Sequence, residues 1–102
     1  MRNYSVGELG EDRSFYFRGP EGKLNLRAQN LTMFLQLADG VDDETWLFHL
    51  TRGDYSRWFR QAIKDEAMAS EVAQYEEEGQ LSPRESREKI RAAVERRYSA
   101  PA

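Results

Sequence analysis

The chain has 102 residues, 39% apolar and 32% charged, with a formal net charge of −3 and a sequence pI near 5.2. That is enough for one domain with a modest core and too little for two. It contains no cysteine, which excludes a disulfide framework, a thiolate zinc site and a cysteine nucleophile and suits a reducing cytoplasm, the location we expect. The first residues carry no apolar signal core, and no apolar run approaches the roughly 18 residues of a membrane span, so neither a leader nor a membrane segment is expected.

Residues 1–12 are polar, with two glycines and little periodicity, and predict a flexible arm; residues 13–98 form the domain and 99–102 a tail. Residues 14–18 (SFYFR) and 23–27 (KLNLR) alternate apolar with polar around Gly19-Pro20-Glu21-Gly22, which predicts a hairpin with a four-residue loop. A two-stranded hairpin is marginal alone, so Phe15, Phe17, Leu24 and Leu26 should lie on helices. Asn30 is a suitable N-cap for a helix burying Leu31, Phe34, Leu35 and Ala38, flanked by Met33 and Leu37.

The stretch 41–69, VDDETWLFHLTRGDYSRWFRQAIKDEAMA, holds both tryptophans and the sole histidine. Asp42 reads as an N-cap, with Val41 and Trp46 as a hydrophobic staple, and Gly53 is placed to end that helix in the left-handed conformation. Asp54 should cap a second helix whose Tyr55, Trp58, Phe59, Ala62 and Ile63 recur on one buried face. A fourth helix starts at Asp65 with Met68, Ala69, Val72 and Ala73 inward. The fifth has Ser82 as N-cap, Pro83 at the first helical position and Glu85 completing a capping box, with Ile90, Ala93, Val94 and Tyr98 as its stripe. The fold expected is therefore mainly α: a small N-terminal β-hairpin, then about five short helices in one compact domain.

Charge is unevenly spread. Residues 65–81 carry six acids and no base, whereas residues 82–102 carry six bases and three acids. Complementary packing of two helices accounts for this most simply; a partner surface is the sharper alternative.

His49 is the one side chain with an ordinary titration near neutral pH, and Asp54 follows just after the Gly53 turn. The pair could form an oriented general base. However, the sequence places no nucleophile or second acid beside it, so we assign no catalytic residue and read His49 as a structural ring fixing the turn. Asp42, Asp43 and Glu44 are consecutive and point around a helix start instead of converging, so we expect no metal site, and no cofactor motif is present. Arg57, Arg60, Gln61 and Lys64 recur at three and four residues opposite Trp58 and Phe59, forming a basic stripe extended by Arg52. The stripe suits a solvated face, a protein partner, or a phosphorylated ligand held by His49, Arg52, Asp54, Arg57, Arg60 and Lys64. The acidic pI argues against nucleic acid.

Taken in order, FYFRGPEG, the Leu31–Phe34 helix, VDDETWLFHL and GDYSRWFRQAIKDEAMA resemble a family of small domains found C-terminal to some haloacid-dehalogenase-type phosphatases and also elsewhere. The likeness runs from about Phe15 to Tyr98. Its densest part matches Asp54, Tyr55, Ser56, Arg57, Trp58, Phe59, Asp65 and Ala69, with His49 where the family's histidine stands. The link from His49 to Asp54 is shorter here than in many relatives. The resemblance implies a noncatalytic accessory module that docks to or regulates a phosphatase. The catalytic Asp-x-Asp of such phosphatases does not occur in this chain, so that chemistry would belong to a neighbouring domain or partner.

Overall fold

The computed structural model describes residues 9–79 and 81–98. Strand β1 (Phe15–Phe17) pairs antiparallel with β2 (Leu26–Ala28), and five helical segments follow: α1 (Leu31–Gly40), α2 (Asp43–Thr51), α3 (Asp54–Trp58, running on as a π-helical turn over Phe59–Ile63), α4 (Glu66–Glu78) and α5 (Pro83–Tyr98). This is the mainly α domain with an N-terminal hairpin that the sequence predicts.

The helix starts follow from their caps. Asn30, Asp42 and Asp65 each accept a hydrogen bond from the backbone N–H three residues on, at 2.8, 3.0 and 3.0 Å. Ser82 and Glu85 close the reciprocal capping box, both bonds at 3.0 Å. Asp54 departs from expectation: the N-cap of α3 is Gly53, at φ 72°, and the Asp54 carboxylate turns toward α2 instead.

Phe15, Phe17, Phe34, Trp46, Tyr55, Trp58 and Phe59 are all buried in one core. Rings meet edge-on or offset: Trp46 stacks on Tyr55 at 4.4 Å and Phe34 on Trp58 at 5.1 Å, geometries that add to simple area burial. The buried polar ends are answered, Trp46 donating to the Ser86 hydroxyl at 2.8 Å, Trp58 to the Arg13 carbonyl at 2.8 Å and Tyr55 to the Trp46 carbonyl at 2.9 Å. Arg87 of α5 closes the end of α1, donating to the carbonyls of Ala38 (2.7 Å) and Val41 (2.5 Å).

The hairpin differs from its predicted form. Phe17 faces Leu26 and Phe15 faces Ala28, so residues 18–25 form a wider connection than four residues. Ala28, not Leu26, lies buried beneath the helices, and Leu26 is the exposed large apolar side chain among the described residues. The connection folds against α2: Gly19 sits at φ 73°, where an added Cβ would stand 2.8 Å from the Thr45 hydroxyl oxygen. The predicted arm is also partly corrected. Leu9 is buried and donates its N–H to the Gln29 carbonyl at 2.7 Å, while residues 1–8 and the tail 99–102 lie outside the described residues. Among the described residues, no helix is long and apolar enough to cross a membrane.

Candidate functional site: the His49–Asp54 junction

His49 stands in the last turn of α2 and Asp54 at the first position of α3, with Gly53 reversing the chain between them. His49 Nδ1 lies 2.8 Å from Asp54 Oδ2. Its other nitrogen, Nε2, accepts the backbone N–H groups of Arg18 at 3.1 Å and Gly19 at 3.2 Å. A nitrogen facing two N–H donors must present its lone pair, so the proton sits on Nδ1 and is donated to Asp54. The ring is buried, with Phe15 (5.4 Å) and Phe48 (5.0 Å) set edge-on against it. Both ring nitrogens are thereby engaged inside the molecule, which ties α2, α3 and the end of β1 together.

Asp54 is equally committed. Besides His49, it accepts from Arg52 Nε at 3.2 Å and Arg57 at 2.7 Å. Burial pushes its carboxyl upward, but the hydrogen bonds from His49 and Arg57 outweigh that and hold it below the ordinary aspartate range. The carboxylate thus stays ionised with its lone pairs directed at fixed donors.

Of the six residues expected to form a site, the structure brings together His49, Arg52, Asp54 and Arg57. Arg60 and Lys64 lie elsewhere. The basic stripe presumes a regular helical repeat, and the π turn after Trp58 breaks that repeat. Arg57 and Gln61 line a hollow against β1, whereas Arg60 pairs with Glu66 at 3.1 Å. Lys64 ends the segment at φ 66°, a left-handed position that glycine usually takes.

Two open hollows flank the junction and share Phe15, Tyr16 and Asp54. One, of about 380 Å³, lies between β1 and α3 and is lined by Arg13, Tyr16, Arg57, Trp58 and Gln61 among others. The second, of about 350 Å³, lies between the hairpin connection and the end of α2, with Arg18, Gly19, Glu21, Phe48 and Arg52 around it. Tyr16 and Arg18 were not foreseen because residues 14–18 were legible only as hairpin, and Arg13, just before them, carried no pattern of its own. The role of Gly19 rests on a backbone N–H, which no side-chain pattern reveals. Among the described residues, no three His, Cys, Asp or Glu side chains are grouped to hold a metal ion.

Comparison with protein-family models, curated proteins and solved structures found no match to this chain.

Proposed function

We propose that the chain is a noncatalytic interaction module that docks to a protein partner, a haloacid-dehalogenase-type phosphatase being the first partner to test. The observation that carries this reading is the engagement of His49 on both nitrogens: Nδ1–H donates to Asp54 and Nε2 accepts from two backbone N–H groups. A general base needs a free lone pair aimed at a substrate proton, and this one is aimed at the protein's own backbone. The sequence resemblance supports the choice of partner, and the cysteine-free composition supports a cytoplasmic setting. The hollow between β1 and α3, with Tyr16 beside Arg13, Arg57 and Gln61, supplies the aromatic and arginine side chains in which interfaces are enriched.

Calorimetric titration of the chain into such a phosphatase tests the reading. Saturable association is expected, weakened by Gln61→Ala combined with Arg57→Ala while the melting curve changes little. His49→Gln should lower stability by about 1–2 kcal/mol, since glutamine cannot serve all three partners, yet leave association intact in the folded fraction. Hydrolysis of a phosphomonoester by the isolated chain, abolished in His49→Gln with folding preserved, would overturn the noncatalytic reading.

A further inference from the structure

We infer that the hollow between the hairpin connection and the end of α2 binds a phosphomonoester group between Arg18 and Arg52. The two side chains come from distant parts of the sequence and line one cavity. Each guanidinium is already laid on an aromatic ring, Arg18 at 4.5 Å from the Tyr16 centroid and Arg52 at 5.0 Å from that of Phe48. Stacking of this kind restricts the rotamers before any ligand arrives, which lowers the entropy lost on binding. Arg52 bonds Asp54 through Nε alone, so its two terminal nitrogens remain as an unused fork. The Arg18 guanidinium makes no hydrogen bond or ion pair with any described residue; the residue bonds through its backbone, donating its N–H to His49 and accepting from the Leu24 N–H at its carbonyl.

The frame around the two arginines is rigid. The backbone N–H groups of Arg18 and Gly19 are held by His49, and Gly19 is pressed on Thr45 of α2. Arg18 therefore leaves the backbone from a fixed point. Two arginines on one hollow favour an anion. Asp54 faces the hollow and pairs with Arg52 as well as with Arg57 while accepting from the His49 ring, and Glu21 is the further acid opposed to the two arginines. Glu21 makes no ion pair with a described residue and would repel the same ligand. Arginine forks match tetrahedral phosphate oxygens in geometry, and two cations match a dianion better than a monovalent carboxylate. The rings of Tyr16 and Phe48 offer apolar surface to the organic part that carries the phosphate.

This site uses Arg18, absent from the helical stripe considered from sequence, and it does not depend on a protein partner; loss of docking would leave it standing. The test is titration of the intact chain with phenyl phosphate, followed by calorimetry and by chemical-shift changes at the backbone N–H groups of residues 18–22. Glucose 6-phosphate and a phosphoserine peptide serve as parallel arms that distinguish a small metabolite from a modified protein, and benzoate serves as the monovalent control. Saturable binding of phenyl phosphate is expected with a dissociation constant of order 1 mM or tighter, weakening as salt rises. Arg18→Gln and Arg52→Gln should each weaken it at least about tenfold, Arg18→Lys should weaken it less, and Glu21→Gln should strengthen it several-fold. Arg60→Gln should change nothing. Both arginines are exposed, so melting curves of their variants should stay close to that of the parent. The inference fails if the parent shows no saturable binding of any phosphomonoester, if benzoate binds as well as phenyl phosphate, or if binding survives Arg18→Gln in a folded protein.

Discussion

The hairpin with α1–α3 and the α4–α5 pair are held by different physics. In the first region large rings interlock, and polar atoms among them are satisfied internally, as His49 and the Trp58 indole show, while the Trp46 indole reaches across to Ser86 of α5. In the second the buried side chains are mostly smaller, Ala69, Val72, Ala93 and Val94 among them, and the outer seam is ionic. There Glu71 of α4 accepts from Arg96 at 2.5 Å and Arg97 at 3.0 Å of α5, and Tyr98 bonds Asp65. Facing helices account for only part of the uneven spread of acids and bases: Glu71 meets Arg96 and Arg97, whereas Glu66 pairs with Arg60, and Arg87 and Arg91 of α5 pair with Asp43 and Asp39. The difference teaches where stability and binding capacity reside: ring packing and buried hydrogen bonds resist salt and pH, while exposed ion pairs follow both.

The largest effect should come from the ring-packed region. Trp58 is 7% exposed, stacks on Phe34 and donates to a backbone carbonyl across the core. Trp58→Ala removes all three contributions and should destabilise by about 3–5 kcal/mol in urea melts, insensitive to salt. A loss below about 1 kcal/mol would mean that the rings do not carry the first region.

A smaller effect, and one dependent on conditions, should come from the ionic seam. The hydrogen bond from Tyr75 draws the Glu71 carboxyl down to about 2 from 4.5; burial opposes this, and Arg96 and Arg97 reinforce it. A folded value below the unfolded one means that this stability is fully present above about pH 4.5 and is lost as pH falls toward 2. Since both arginines approach from the solvent side, Glu71→Gln should cost about 1 kcal/mol at neutral pH and low salt. The cost should shrink in high salt and vanish near the acid end of that window. A salt-independent loss would place Glu71 with the buried network and erase the contrast between the regions.

The smallest effect lies at the join. Lys64 links the π turn of α3 to α4 in the left-handed conformation, strained for any residue with a Cβ. Lys64→Gly should stabilise the protein by about 0.5–1 kcal/mol in thermal melts, and destabilisation would mean that the lysine stem supports the join by packing.

What the sequence made legible followed from local rules. Caps at Asn30, Asp42, Asp65 and Ser82 each depend on one side chain and a backbone N–H three residues away, so spacing alone locates them. The face of Tyr55, Trp58, Phe59, Ala62 and Ile63 is buried as expected, although the chain passes from α- to π-helical geometry within it. Three features were hidden. Strands of three residues leave pairing register underdetermined, so Ala28, beyond the expected strand, takes the buried place expected of Leu26. The π turn has no compositional sign here, and it divided Arg57 from Arg60. The partners of His49 were half visible: Asp54 could be foreseen from its distance along the chain, but the N–H groups of Arg18 and Gly19 could not.

The central claim is that His49 is a structural tie between elements, and its tautomer tests that claim most directly. A long-range proton–nitrogen correlation spectrum of the folded protein near neutral pH reads which ring nitrogen carries the proton. The geometry requires the proton on Nδ1, facing Asp54, and an unprotonated Nε2 that accepts from Arg18 and Gly19. A protonated Nε2 in the folded state would contradict the account, because it would free the ring from the hairpin and return His49 to the role of a candidate acid or base.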